Sequence, residues 1–230
     1  MVIVHFPPPS RSIAPKFVTL ARNNILIRIF DPTKYDTSAI SFRNYGPISR
    51  FDHHRECLQK AVRPRVLKDT ASHIGVRRKG TRTKTIDPDR SVIYAGRTLS
   101  CCIVEIFGTG GVVKLRRQQV AFITLEDTLM LLDLRGSAAM AAGTVAALSS
   151  ITERDISQAW GKYFYENPQL YGNIDGLFFA GAHNAEDAIV LYERAKSKLA
   201  SAKIDILPLN HPDLRDGILY IANNHGLIVK

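Results

Sequence analysis

At 230 residues the chain has room for one sizeable domain, and its apolar fraction of 45% is ordinary for a globular protein. No apolar run reaches bilayer-spanning length, and three cysteines, two of them adjacent, give neither a disulfide framework nor a metal-ligand spacing. The formal charge of +10 suits polyanionic partners: nucleic acid, a phosphate-bearing ligand or an acidic protein surface.

The first residues, MVIVHFPPPS, carry no basic stretch and meet Pro7-Pro8-Pro9 at once, so they do not read as a signal peptide. Together with the cysteine usage this fits a reducing cytoplasm. Residues 1–24 are predicted to form an irregular arm wrapped on the body, and residues 25–230 the domain itself. Asn24 to Phe30, NILIRIF, is a strand by its β-branched and apolar content. Arg28 sits inside it. Either the guanidinium finds a partner in the interior, because burying it alone is costly, or the strand is an edge and Arg28 points to solvent.

Ile40 to Arg55 mixes aromatics with bases around Gly46-Pro47 and reads as a loop or hairpin near a site rather than as core. His53 and His54 are adjacent, but no Cys, Asp or Glu completes a recognised ligand spacing, so no metal is expected. Cys57 to Lys68 is a candidate short helix interrupted by Pro64, and His73 to Asp89 a loop. Arg77, Arg78, Lys79, Arg82 and Lys84 make the densest basic run. It is either a nucleic-acid contact or a solvated basic loop; no aromatic residue interrupts it to stack on bases.

The most structured stretch is Ser91 to Gly111, SVIYAGRTLSCCIVEIFGTGG. A short strand ending on Tyr94 and Ala95 is broken by Gly96. Thr98 then caps a helix whose Leu99, Cys102, Ile103 and Ile106 recur at helical spacing, and Gly108, Gly110 and Gly111 stop it. Glu105 lies late in that helix, off the apolar stripe. There it opposes the macrodipole, or simply faces water.

Gln119 to Leu125 and Leu129 to Leu134 are two strands joined by a polar turn at 126–128. Gly136 opens a small-residue helix to about Leu148. Ser150 to Glu153 is predicted to be a capping box for a helix carrying Trp160, Tyr163 and Phe164 and ending before Pro168. Ile174 to Ala180 and Ala188 to Tyr192 are strands, and Glu193 to Ala202 is helical. Ile204 to Leu209 and Gly217 to Ala222 are late strands. Strands and helices mix without strict alternation, which favours α+β. No Walker loop, GxGxxG, GxSxG or HExxH motif occurs.

Four segments, in order, resemble those of the RES-domain family. Ile27-Arg28-Ile29 is similar to the family's first Arg motif. Ile48-Ser49-Arg50-Phe51 resembles the second, an Arg followed by an aromatic after a Gly-containing loop. Ile93-Tyr94-Ala95 with Val104-Glu105 resembles its Tyr and Glu pair. Asp175 to Phe179 resembles the strand leading to its Ser. The serine itself falls near Ala180 or Gly181, which carry no hydroxyl; His183 and Asn184 follow.

The resemblance implies an ADP-ribosyltransferase-like fold: two packed, mostly antiparallel sheets with helices outside. It implies a toxin of a toxin–antitoxin pair that cleaves the nicotinamide–ribose bond of NAD by hydrolysis or phosphorolysis, with a helix-turn-helix protein as antitoxin. By the same resemblance Arg28 and Arg50 bind the pyrophosphate, Tyr94 stacks on nicotinamide, and Glu105, with Tyr94 and Arg28, is catalytic. ADP-ribosyl transfer to a protein and non-catalytic nucleic-acid binding are the alternative readings.

Overall fold

The computed structural model describes residues 3–34, 37–55 and 85–230. The predicted helix over 57–68, most of the predicted loop over 73–89 and the basic run from Arg77 to Lys84 lie outside the described residues. The strands are β1 (Phe17–Leu20), β2 (Ile25–Phe30), β3 (Tyr45–Gly46), β4 (Thr85–Ile86), β5 (Val92–Gly96), β6 (Val112–Val113), β7 (Gln119–Thr124), β8 (Leu129–Asp133), β9 (Gly176–Ala180), β10 (Asp187–Tyr192), β11 (Lys203–Pro208) and β12 (Ile228–Val229). The helices are α1 (Leu99–Phe107), α2 (Gly136–Ala141), α3 (Arg154–Glu166), α4 (Pro168–Tyr171), α5 (Lys196–Ala200) and α6 (Pro212–Asn224). None is long and apolar enough to cross a membrane among the described residues.

The architecture is α+β. In place of two separate packed sheets, one eight-stranded sheet runs β1-β8-β9-β10-β5-β2-β7-β11. It is antiparallel except for the β8–β9 pair. Its connectivity forces it to curl. β7 and β8 are consecutive in the chain yet stand five places apart in the sheet. Five strand spacings in a flat sheet would cover about 24 Å, whereas the link from Thr124 to Leu129 can reach about 18 Å at full extension. The two halves of the sheet therefore bend toward each other. They enclose Leu20, Leu26, Ile93, Ile123, Leu131, Phe178 and Ile189 in one cluster. The opposite face of β9 and β10, carrying Leu177, Phe179, Val190 and Tyr192, packs against Phe51, Trp160, Phe164 and Tyr171. A third cluster joins α1 and α6 through Ile103, Phe107, Leu214 and Ile218.

Several local expectations need correction. The arm includes β1, which pairs with β8 from Phe17↔Leu132 to Leu20↔Leu129. Its earlier part is tied down by Trp160 Nε1 donating to the His5 carbonyl at 2.7 Å. Residues 51–54 belong to the core, with Phe51, Asp52, His53 and His54 all buried. The small-residue helix ends at Ala141, and Gly143 turns the chain at φ 93° before a short 3₁₀ turn over Ala146–Ser149. No capping box forms before α3: Ser150 Oγ donates to the Ala147 carbonyl instead. Gly217 to Ala222 is helical. Leu214, Ile218 and Ala222 form its buried stripe at four-residue spacing, and the His211 side chain accepts from the Asp213 amide at the start.

A buried polar knot ties the 51–54 segment to β5 and the end of β10. His53 Nε2 lies 3.1 Å from Glu193 Oε2, and Tyr165 donates to Glu193 Oε1 at 2.5 Å. Burial alone would raise the Glu193 pKa, but hydrogen bonds from His53 and Tyr165 hold it down at about 2. Burial lowers His53 and His54 despite the neighbouring carboxylates. Both histidines are thus favoured neutral, and their stabilisation is present above the unfolded-state value near 6.5 and lost as pH falls below it. Glu193 contributes above about 4.5 and loses that contribution as pH falls toward 2. Thermal melts should show the midpoint declining from pH 7 to 5 and more steeply below 4.5. In Glu193→Gln the second decline should shrink.

Candidate functional site

The loop from Ser41 to Arg50, strands β2 and β5, the end of α1 and the 181–183 turn surround a cleft of about 790 Å³. That volume falls within the usual range for small-molecule sites, about 300–1,000 Å³. Arg28, Arg50, Tyr94 and Glu105, scattered over nearly eighty residues of sequence, all line it.

Arg28 sits on β2, opposite Ala121 of β7, with β5 on its other side. The strand is internal, so the edge reading is excluded. Arg28 Nη1 donates to the carbonyls of Ala39 (3.1 Å) and Ser41 (3.0 Å). Burial, then the positive charge of Arg43, lowers its pKa to about 10. Neutral carbonyls hold the group in place while leaving its charge available to an anion.

Asp52 organises the facing loop. Its buried carboxylate takes Arg43 Nη2 at 2.7 and 2.8 Å, and the amides of Ile48 (2.6 Å) and Ser49 (2.9 Å). Tyr94 Oη donates to Asp52 Oδ1 at 3.0 Å and accepts the Phe51 amide at 3.1 Å. Burial, and secondarily Asp52, keeps the Tyr94 phenol protonated well above its ordinary range. The hydroxyl is thus committed to the loop, and a ligand in the cleft meets the ring. Asp52 and Arg43 are the residues that sequence reasoning missed here. The available signal was that Asp52 is the sole acid between Ile40 and Arg55.

Arg50 is 8% exposed and donates through Nη1 to the Ile151 carbonyl. Burial lowers its pKa, Arg154 lowers it further, and Glu105 and Tyr94 act in the opposite direction. Arg154, the first residue of α3, also lines the cleft. Nothing in the sequence around Arg154 distinguished it from other surface arginines. Four arginines, Arg28, Arg43, Arg50 and Arg154, therefore line the cleft with the Glu105 carboxylate, an arrangement suited to a ligand with both anionic and cationic parts.

Glu105 is set by a helix that the sequence specifies locally. Thr98 Oγ1 caps α1 by accepting from the Cys101 amide at 2.9 Å, and Gly111 ends the following 3₁₀ turn with φ 65°. Buried Cys101, Cys102, Ile103, Val104 and Phe107 anchor the helix. Glu105 points into the cleft, where its side chain is 33% exposed. Oε1 faces the 181–183 turn, accepting the His183 amide at 3.2 Å. A Cβ added at Gly181 would lie 2.8 Å from Glu105 Oε1, so position 181 has no room for a serine side chain while Glu105 stays where it is. Asn184 is turned away, donating to Glu186 Oε1 at 2.7 Å. His183 lines the cleft.

The adjacent His53 and His54 are buried in the core; His54 Nε2 donates to the Arg43 carbonyl at 3.1 Å. Among the described residues no group of three His, Cys, Asp or Glu side chains could hold a metal ion. A family model described as the RES domain matches residues 58–214, more than half of the chain. That span includes Tyr94, Glu105, Arg154 and His183 and begins after Arg28 and Arg50. No curated protein and no solved structure is significantly similar to the chain.

Proposed function

The chain belongs to the RES-domain family, and from that premise we propose that it consumes NAD by cleaving the nicotinamide–ribose bond, as a toxin neutralised by a partner antitoxin. The observation that carries this reading is the shared cleft of Arg28, Arg50, Tyr94 and Glu105. These side chains match the parts of the substrate. Arg28 and Arg50, assisted by Arg154, take the pyrophosphate with planar, charge-assisted hydrogen bonds. The Tyr94 ring offers a flat face to the cationic nicotinamide, with a cation–π contribution of ~0.5–2 kcal/mol.

As the N-glycosidic bond breaks, its electron pair leaves with neutral nicotinamide and positive charge develops on the ribose. Glu105 stabilises that oxocarbenium-like charge and accepts a hydrogen bond from a ribose hydroxyl. Water then gives ADP-ribose and a proton; phosphate gives the ribose 1-phosphate ester of ADP-ribose. Incubating the purified chain with NAD, with and without phosphate, and separating the products tests the reading. Nicotinamide should accumulate in both, and the sugar product identifies the acceptor. Intact NAD after prolonged incubation would overturn it.

The charge of +10 suits an acidic inhibitory surface over the cleft, here assigned to an antitoxin of helix-turn-helix type. The complex should block nicotinamide release and weaken as salt is raised, measured by titration calorimetry at two salt concentrations. Tight binding that leaves NAD cleavage untouched would count against this partner.

A further inference from the structure

We propose that His183 is a positioning residue for Glu105, holding one carboxylate oxygen so that the other is presented to the ribose. The functional consequence rests on the NAD reading; the contact itself does not. Glu105 Oε1 receives the His183 amide at 3.2 Å and lies 3.3 Å from the Nδ1 of the same residue. The far side of the ring is also held, with Nε2 at 3.0 Å from Thr109 Oγ1. A neutral ring satisfies both contacts in one way: Nδ1–H donates to Glu105 while Nε2 accepts the Thr109 hydroxyl. Thr109 thereby selects the tautomer that Glu105 requires.

The surrounding backbone is shaped to this pair. A Cβ on Gly108 would come within 2.9 Å of His183 Cδ2, and one on Gly181 within 2.8 Å of Glu105 Oε1. The turn bearing His183 is closed by Gly181 N–H to the Glu186 carbonyl at 2.7 Å and Ala185 N–H to the Gly181 carbonyl at 3.1 Å. A partly exposed glutamate on a helix surface otherwise samples several rotamers, each of which would move its charge from the reacting carbon. Backbone amide, imidazole and turn together hold one.

Two measurements on the full chain test this. The first is ¹⁵N NMR of the His183 imidazole in its neutral form, assigned by its loss in His183→Gln. Wild type should show the Nδ1–H tautomer, and Glu105→Ala should return the ring to the Nε2–H form that free imidazole side chains prefer. An Nε2–H ring in wild type would overturn the proposal without reference to NAD. The second is steady-state kinetics. His183→Ala should lower kcat about tenfold or more with KM for NAD within twofold. Gly108→Ala, at a right-handed helical φ of −56° that alanine accepts, should lower kcat likewise by displacing the ring while the thermal midpoint holds. Wild-type kcat in both variants would overturn the proposal. Failure of the wild-type chain to release nicotinamide would instead overturn the NAD reading, and the tautomer would still decide whether His183 holds Glu105.

Discussion

Glu105→Gln is expected to lower nicotinamide release by ~100-fold or more while NAD affinity stays near that of wild type. The scale is that of losing one electrostatic contact to a developing charge. The substitution is unusually clean at this position. Gln Oε1 can still accept the His183 amide and ring N–H, so the side chain keeps its place. The group that changes is the one facing the cleft, from an anionic oxygen to a neutral amide. Arg50→Ala should separate binding from chemistry in the other direction. It removes a guanidinium that, among the described residues, hydrogen-bonds the Ile151 carbonyl, and should weaken NAD binding about tenfold or more. Arg28 is a poorer probe, because it also holds the Ala39 and Ser41 carbonyls and its loss would loosen the loop. Wild-type turnover in Glu105→Gln would remove Glu105 from the chemistry.

What the sequence disclosed divides along the range of the interactions involved. The β5–α1 unit was readable because its signals are local: a β-rich run, the Thr98 cap, an apolar stripe and a glycine stop, although Gly96, expected to break the strand, is its last paired residue. The β7–β8 relationship was not. Two strands with a short polar turn suggest a hairpin, yet each pairs elsewhere, β7 with β2 and β11, β8 with β1 and β9. Strand partners are set by the enclosed core, which a local window does not contain. At α6 a local β-type run, Ile218 to Ile221, was overruled by burial at four-residue spacing and by packing on α1. Asp52 was hidden for a similar reason. Among the described residues five hydrogen bonds converge on it, from Arg43, Ile48, Ser49 and Tyr94, and the Tyr94 bond spans forty-two residues of sequence. The family's serine falls near Ala180 or Gly181, and only the structure shows that a Cβ at Gly181 would press on the Glu105 carboxylate.

Asp52→Ala should have the largest effect on stability and disable the cleft with it. The Asp52 side chain is fully buried, and Arg43 beside it is 19% exposed. Removing the carboxylate leaves the guanidinium without its counter-ion and strands the Ile48 and Ser49 amides and the Tyr94 hydroxyl. Breaking one side of such a pair costs ~3–5 kcal/mol, which for a chain of this size lowers the melting midpoint by on the order of 10 °C. The loop from Tyr45 to Phe51 would then lose the contacts that fix its path, and Arg50 and the Tyr94 ring would lose their common reference. NAD affinity should therefore fall further than in Arg50→Ala, even at a temperature where the variant is folded. Asp52→Asn separates charge from shape: it retains one acceptor oxygen for the loop amides but leaves Arg43 uncompensated. It should fall between wild type and Asp52→Ala in both melting and binding. Asp89→Ala is the control, since that carboxylate is 70% exposed and pairs with Arg55 at the surface; its midpoint should move by no more than the equivalent of ~0.5 kcal/mol. If Asp52→Ala melted within 1 °C of wild type and bound NAD as tightly (a shift of ~0.5 kcal/mol or less), the loop would have another anchor. The cleft would then not depend on Asp52.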